Sequence, residues 1–219
     1  MSEDERGLLE VGDAVAANLL AAHAPLRFEE VRDEVERRAG YRLRYAAVVE
    51  RNLASPELFS DGEERDEFDD RAVHIVGWDG DCPIATCRLV LPEAGHRLPV
   101  ELAFELEVPG STSMVEWGRV VVAPAWRGCD HKILMGLAAR GWLSMRERGF
   151  AAALGATPDR LVQLFRDLGF AVTVLGAPRR HWNELRYPIL CDRRAAALGV
   201  ARHWRRAATA RSLRETHTR

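Results

Sequence analysis

The chain has 219 residues, of which 47% are hydrophobic and 29% are charged, and its formal net charge is −2. This composition is typical of a globular protein and excludes a disordered or fibrous chain. A chain of this length can bury enough surface to support one sizeable core, so we expect a single domain. No stretch approaches the roughly 18 consecutive apolar residues that a membrane-spanning helix needs.

The first residues of the chain and its cysteines indicate the cellular compartment of the protein. Residues 2–5 carry three acidic side chains, which is not the basic start of a secretory signal. The cysteines show neither C-x-x-C spacing nor paired histidines, so we expect no metal site. They are predicted to be reduced thiols of a cytoplasmic protein: Cys82, Cys87, Cys129 and Cys191.

Hydrophobic spacing predicts the elements of the first half of the chain. A leading helix over 8–22 is followed by an alternating strand over 26–31 and an amphipathic helix from 33 to about 52. The segment 57–70 has eight acidic residues and one arginine, and we expect a long loop of the functional or mobile kind. Strands over 72–78 and 83–91 flank an Asp-Gly pair, which indicates a hairpin.

The second half is predicted to alternate between strands and helices. A strand over 114–123 leads into an amphipathic helix, and a buried strand over 150–155 follows. Thr157 as N-cap and Pro158 as first helical residue predict the next helix, which Gly169 ends. Strands over 170–175 and 185–190 come last. This order predicts an α/β fold of the α+β type, with a mixed, mostly antiparallel sheet and helices on both faces.

The junction between the strand at 114–123 and the next helix is suited to an anion. A helix start offers unpaired N–H groups and the positive dipole end, and Arg127 and Lys132 add charge. The motif V-x-P-x-x-R-G at 122–128 resembles the acyl-donor segment of the GNAT acyltransferase superfamily, and the alternative is an ordinary strand–turn–helix. The resemblance implies a single three-layer GNAT domain over 25–192, between an N-terminal helical extension (1–24) and a basic tail (193–219).

In that family this segment holds the pyrophosphate of coenzyme A or the phosphopantetheine of an acyl carrier protein. Asp130 and Lys132 stand where the family usually has glycine, which favours a carrier-protein donor over free coenzyme A. The resemblance also implies that two parallel strands separate here, so that the donor's arm lies along a freed strand edge. The implied donor-binding residues are Val120, Val122, Arg127, Gly128, Cys129, Asp130, His131 and Lys132.

The segment 164–170 is similar to the L-Y-x-x-x-G-F signature that closes the fourth helix of GNAT enzymes. That signature often supplies a tyrosine as general acid toward the leaving thiolate. Here Phe165 takes the position and cannot donate a proton, so the thiolate leaves without that help or another group supplies it. The alternative interpretation is core packing by Phe165 and Phe170.

Three further blocks narrow the resemblance: G-x-E-x-D-x-x-D at 62–69, C-R-L-V-L-P at 87–92 and V-E-W-G-R-V-V-V at 115–122. In this order they resemble the acyl-homoserine lactone synthases and the long-chain N-acyl amino acid synthases, over roughly 26–192. We expect their charged residues to form a buried or half-buried ion network that holds the acidic segment as one wall of an acyl pocket, or to act only as scaffolding. These residues are Arg44, Glu64, Asp66, Asp69, Arg88 and Arg119.

Glu116 is the candidate catalytic residue. Its position resembles the carboxylate that deprotonates the acceptor amine, directly or through water, because an ammonium group cannot attack a thioester. The alternative is a structural partner for Arg119. Cys129 at a helix start is a weaker candidate nucleophile, and a serine hydrolase is disfavoured because the chain has no G-x-S-x-G motif.

These observations predict an N-acyltransferase that moves an acyl group from a carrier-protein or coenzyme A thioester to a small amino-acid-like amine, with no tightly bound cofactor. The alternatives are an acyl-homoserine lactone synthase that uses S-adenosylmethionine and a non-catalytic ligand- or carrier-binding module. The tail places Trp204 among arginines and would suit an acidic acyl carrier protein, or it is simply solvated. We expect no nucleic-acid partner, because no recognition motif accompanies the tail, and no membrane partner.

Overall fold

The computed structural model describes residues 3–128 and 131–202. The helices are α1 (Glu3–Ala22), α2 (Glu34–Arg51), α3 (Pro99–Phe104), α4 (Lys132–Glu147) and α5 (Asp159–Asp167). The strands are β1 (Arg27–Glu30), β2 (Ala72–Asp79), β3 (Cys82–Val90), β4 (Met114–Val122), β5 (Ala152–Thr157), β6 (Val172–Val174), β7 (Arg179–His181) and β8 (Glu184–Asp192). Residues 193–202 are also helical. Within these ranges, no helix is both long and apolar enough to cross a membrane.

The strands form one sheet in the order β1-β2-β3-β4-β5-β8-β6, and β7 pairs with the first three residues of β8. Neighbouring strands are antiparallel, except that β4 and β5 are parallel. This sheet confirms the predicted mixed, mostly antiparallel fold.

Helices cover both faces of the sheet, as expected. Gly40 of α2 lies against Val76 and Thr86, whereas Ile75 on the same strand packs in the main core with Leu137 of α4. Successive strand residues point to opposite faces, so α2 and α4 lie on opposite sides of the sheet. Helix α1 packs on α4.

Strands β4 and β5 pair over only three residues each, Met114–Glu116 with Ala152–Leu154. Beyond this point β4 continues along β3, and β5 continues along β8. A Cβ atom at Gly155 would lie 2.7 Å from the backbone oxygen of Trp117, so only glycine fits where the two strands part. The sheet therefore has the fork that the resemblance implied.

A β-bulge shapes β4 just past the fork. Gly118 pairs with Arg88 and Val121 pairs with Thr86, so two residues of β4 stand opposite the single residue Cys87. Arg119 within this bulge has a φ of 53°, the left-handed region that non-glycine residues seldom adopt. The bulge turns the Arg119 side chain to the α2 side of the sheet, where Arg88 also lies.

Several element boundaries differ from the sequence predictions. Thr157 is the last residue of β5 and not a helix N-cap; Pro158 precedes α5 as its cap residue and makes no side-chain capping bond. Helix α3 and strand β7 were not predicted. The final strand is longer than expected because Glu184 pairs with β7 while Cys191 and Asp192 pair with β5. In the basic tail, Trp204, Arg205 and Arg206 lie outside the described residues.

The fork predicts a specific sensitivity of Gly155. A Gly155→Ala substitution forces a methyl group against the Trp117 carbonyl, so we expect the free energy of unfolding to fall by about 1–3 kcal/mol. Gly176→Ala is the matched control, because its Cβ would meet Leu106 and Pro188 at an ordinary 3.8 Å. Urea unfolding of both variants checks this, and equal stabilities would contradict the close approach at the fork.

Candidate active site

Three arginines and three carboxylates form a closed ring on the α2 side of the fork. In order around the ring, each ion-paired to the next, they are Arg44, Glu64, Arg119, Asp66, Arg88 and Asp69. Arg44 Nη1 lies 2.7 Å from Asp69 Oδ1, and Arg88 Nη1 lies 2.9 Å from the same oxygen. Arg119 bridges Glu64 at 3.1 Å and Asp66 at 2.7 Å. We call this set the ion ring.

The ion ring is largely shielded from solvent. The side chains of Arg44, Glu64 and Arg88 are each only 2% exposed. Burial by itself would raise the pKa of Asp69, but hydrogen bonds from Arg44 and the charge of Arg88 hold that pKa well below its usual range. Asp69 therefore stays ionised, and the ring as a whole matches three arginines with three carboxylates.

The ion ring joins four segments of the chain. Arg44 comes from α2, Arg88 from β3 and Arg119 from β4, while all three carboxylates come from the acidic segment 57–70. This segment was expected to be a long loop, and it contains two short 3-10 turns, Pro56–Leu58 and Asp69–Arg71. The ring thus holds the acidic segment firmly against the sheet.

A cavity of about 180 Å³ opens through the fork. Trp117 to Val121 of β4 form one side of the gap, and Ala153 to Pro158 form the other. Toward α2 the wall carries charged groups, Arg44, Glu64 and Arg119 from the ion ring, beside the apolar residues Ala47, Val48 and Leu53. Toward α4 and α5 the wall is apolar, formed by Leu134, Ala138, Leu161, Phe165, Phe170 and Val172.

Glu116 lies beside this cavity but not in its wall. Its Oε2 accepts a hydrogen bond from the Val100 N–H at 2.5 Å, so α3 holds the carboxyl group. It does not pair with Arg119, which is bound by the ion ring instead. A Cβ atom placed on Gly118, which does line the cavity, would lie 3.9 Å from Glu116 Oε1. Because Gly118 has no side chain, no side chain at that position separates Glu116 Oε1 from the cavity.

Burial raises the pKa of Glu116 to about 7, although the Val100 N–H, Arg88 and Arg119 all oppose the shift. A carboxyl group with such a pKa exchanges a proton near neutral pH. Perturbed groups of this kind beside a cavity are typical of functional sites.

The expected donor-binding residues are only partly brought to the cavity. Val120 lines it, but Val122 does not, and the Val122 carbonyl accepts a 2.8 Å hydrogen bond from Arg127 Nε. Arg127 also makes two hydrogen bonds to Glu50 on α2, at 2.6 and 2.7 Å. His131 precedes α4 in a left-handed conformation without a side-chain capping bond, and Lys132 begins the helix. Gly128 has a φ of 82°; Cys129 and Asp130 lie outside the described residues.

Sequence reasoning missed the contribution of the β7–β8 hairpin. Its residues Trp182, Glu184 and Arg186 line the cavity, and the Trp182 ring packs 4.3 Å from the Arg119 guanidinium carbon. The turn has no glycine, although Trp182 and Asn183 both have positive φ values. The only sequence signal for this hairpin was a weak alternation of polar and apolar residues along its strands. Phe165 also lies in the cavity wall and packs edge-on against Phe170, at 6.1 Å between ring centres.

Comparison with known proteins finds a family model that matches the part of the chain carrying this site. Residues 43–136 match the family model of the acetyltransferase (GNAT) domain. This range contains the whole ion ring, Glu116 and the start of α4. The match and the forked sheet agree with the GNAT resemblance seen in the sequence. No curated protein sequence matches the chain significantly.

Solved structures of synthases share the fold. TofI, in a ternary complex with an inhibitor and MTA, is 25% identical with a TM-score of 0.59, over 80% of this chain and 98% of that chain. The CoA-dependent acyl-homoserine lactone synthase BjaI, with SAM and isopentyl-CoA, is 23% identical with a TM-score of 0.58, over 76% and 81%. FeeM, an N-acyl amino acid synthase from uncultured soil microbes, is 14% identical with a TM-score of 0.59, over 76% and 89%. The family match and these structures support an N-acyltransferase.

The ion ring predicts a large cost for removing one member. Arg44→Met leaves Glu64 and Asp69 buried without their shared partner, so we expect the free energy of unfolding to fall by about 3–5 kcal/mol. Arg179→Met is the control, because its ion pair with Glu105 is exposed and is expected to contribute little to stability. Urea unfolding measures both, and similar losses in the two variants would contradict the role of the ring.

The raised pKa of Glu116 predicts a pH-dependent stability. An unfolded glutamate ionises near its ordinary value of 4.5, so the folded form binds the proton more tightly and loses stability as pH rises toward 7. Glu116→Gln removes this loss. Between pH 5 and 8 we expect wild type to lose about 2 kcal/mol relative to the variant. Subtracting the free energies of unfolding of the two proteins at each pH cancels the titration of the histidines, which both proteins share. A difference that does not change with pH would refute the raised pKa of Glu116.

Proposed function

We propose that the protein transfers an acyl group from a coenzyme A or acyl-carrier-protein thioester to the primary amine of a small amino-acid-like acceptor. The observation that carries this proposal is the cavity through the fork between β4 and β5. It offers a free strand edge, an apolar side and a polar side in one continuous space. The arm of the thioester needs the strand edge, its acyl chain needs the apolar side, and the amine needs the polar side.

The donor's arm lies along the edge of β4 that β5 leaves unpaired. Backbone groups there hydrogen-bond to the extended arm as a neighbouring strand would, and they polarise the thioester carbonyl as negative charge develops on it. The acyl chain extends to the apolar side, between α4 and α5. The amine enters from the polar side, and holding both reactants in one gap accounts for much of the rate.

Glu116 acts as the general base. It takes a proton from the ammonium form of the acceptor through a water molecule in the space above Gly118, and the freed lone pair attacks the thioester carbon. The carbon–sulfur bond then breaks and the thiolate leaves, while the nitrogen releases its second proton to water and becomes the amide nitrogen. Phe165 cannot protonate the thiolate, and Glu116 donates to it the proton taken from the ammonium group.

Two solved structures with the same fold bear on the choice of acyl donor and acceptor. BjaI is named as CoA-dependent and FeeM as an N-acyl amino acid synthase. We favour a carrier-protein donor, because Lys132 replaces a usual glycine at the start of α4. An acyl-homoserine lactone synthase that uses S-adenosylmethionine is the second candidate, favoured by the shared fold of BjaI, an acyl-homoserine lactone synthase whose structure contains SAM.

A transfer assay tests the proposal and separates the candidates. The purified protein is incubated with acyl-carrier and acyl-CoA thioesters, a pool of amino acids and, separately, S-adenosylmethionine. Mass spectrometry then detects acyl amides or acyl-homoserine lactones. We expect an acyl amide whose formation falls at least about 100-fold in Glu116→Gln and is unchanged in Glu57→Gln, an exposed carboxylate. Binding of thioesters without any product would identify a non-catalytic module and end the enzyme proposal.

Gly118 is expected to control access to the base. In Gly118→Ala the added methyl group makes only an ordinary 3.9 Å contact with Glu116 Oε1, so the fold is retained. It fills the space through which water reaches that oxygen, so we expect kcat to fall at least about 10-fold while the KM for the thioester changes little. Steady-state kinetics of the variant measure both, and an unchanged kcat would show that the proton takes another route.

A further inference from the structure

The β7–β8 hairpin presents a charged face to the cavity that the proposed reaction does not yet use. Glu184 and Arg186 of β8 are two residues apart and both line the cavity, as side chains on one face of a strand do, and Trp182 of the turn lines it beside them. Asn183 at the turn donates a 3.0 Å hydrogen bond to the Asn52 carbonyl, which fixes the hairpin to the end of α2.

Positive charge exceeds negative charge on this face. Glu184 is the shared partner of three arginines: Arg51 at 2.5 Å, Arg160 at 3.1 Å and Arg186 at 3.0 Å. The ion ring nearby is balanced, so it does not offset the two surplus charges. A cavity wall with surplus positive charge attracts an anionic group.

Arg186 is the member of this cluster best placed to bind such a group. Its side chain is only 18% exposed, and its sole ion-pair partner among the described residues is Glu184. Its Nε is buried and has no hydrogen-bond partner within the part of the chain that the structure describes. A buried guanidinium N–H without a partner shows that the hydrogen-bonding capacity of this side chain is incompletely used.

The hairpin also lies next to the point where the amine must arrive. Trp182 stacks on Arg119, which directly follows Gly118 on β4. In an α-amino acid the amine and the carboxylate are attached to the same carbon. A carboxylate that pairs with Arg186 therefore leaves its amine in the same cavity as the thioester.

We propose that Arg186 binds the carboxylate of the acceptor and so selects amino acids over simple amines. The proposal rests on the proposed function. A guanidinium group recognises a carboxylate through two parallel hydrogen bonds, which a neutral amide cannot reproduce with the same charge. Arg186 is thus a specificity-determining residue that holds the acceptor and takes no part in proton transfer.

Binding without a donor tests this assignment independently of turnover. Saturation-transfer NMR compares a pool of L-amino acids with the matched pool of their carboxamides. We expect wild type to bind one or more of the acids and none of the amides, and Arg186→Gln to weaken acid binding about 10- to 100-fold. Carboxamides that bind as well as the acids, or no binding from either pool, would overturn the proposal.

Arg160→Gln is the matched control. It removes the same charge from the same Glu184 cluster, but Arg160 is 61% exposed and does not line the cavity, so acid binding is expected to change less than about two-fold. Equal losses in both variants would show a general charge effect and refute a specific contact. If Arg186→Gln does not fold, Arg186→Lys keeps the charge without the paired donors and is expected to weaken binding as well.

The transfer assay then distinguishes the two proposals. Selective acid binding without any acyl amide supports the role of Arg186 and contradicts the enzyme proposal. Acyl amide formed equally well from amino acids and their carboxamides supports the enzyme and contradicts the role of Arg186. A higher thioester KM in Arg186→Gln, with acceptor binding intact, would place a donor phosphate at this residue and also overturn the assignment.

Discussion

The structure depends on the desolvation of six charges in the ion ring. Each buried ion loses its hydration and recovers that free energy only through close, well-oriented partners. Every member of the ring has such partners on both sides, and these come from α2, the acidic segment, β3 and β4. Because moving any one of the four segments would leave a buried charge unpaired, the polar wall of the cavity has little freedom to shift. An acidic stretch that would otherwise be a solvated loop thereby becomes part of the site.

The fork depends on backbone geometry more than on charge. Strands β4 and β5 separate at a point where Gly155 allows the closest approach of the Trp117 carbonyl, and the bulge at Arg119 turns β4 away immediately afterwards. The same bulge brings Arg119 into the ion ring, where it meets both Glu64 and Asp66. The bulge at Arg119 thus turns β4 away from β5 and, through the ion ring, holds the edge of β4 in place. Its left-handed φ is a strain that these contacts offset.

The sequence predicted the sheet and the membership of the ion ring, because both have strong local signals. Alternating and helical apolar spacing located most elements, and the ordered acidic and arginine blocks identified the charged residues. It could not predict which carboxylate pairs with which arginine, since that depends on a one-residue bulge that leaves no clear pattern. The alternative interpretation of Glu116 as a partner of Arg119 was wrong for a different reason: α3, which supplies the Val100 N–H, is only six residues long and leaves little periodic signal.

The β7–β8 hairpin was missed because its sequence lacks the usual signals. Hairpin turns with two left-handed residues usually contain Gly, Asn or Asp at both positions, and here a tryptophan occupies the first. The conformation is stabilised by tertiary contacts: Trp182 stacks on Arg119, and Asn183 is bound to the end of α2. Sequence patterns record local preference, so an element that is held in place by distant residues escapes them.

The environment of Glu116 argues for a chemical role over a structural one. Glu101, another buried glutamate, uses both carboxylate oxygens to accept backbone hydrogen bonds, from Leu98 and Val108. Glu116 uses one oxygen for Val100, and has no ion pair within the described residues. A glutamine would accept that hydrogen bond equally well without the cost of burying an ionisable group. A carboxyl group that makes no structural use of its charge, and lies beside the fork with a pKa near neutrality, is suited to exchanging a proton with a ligand there.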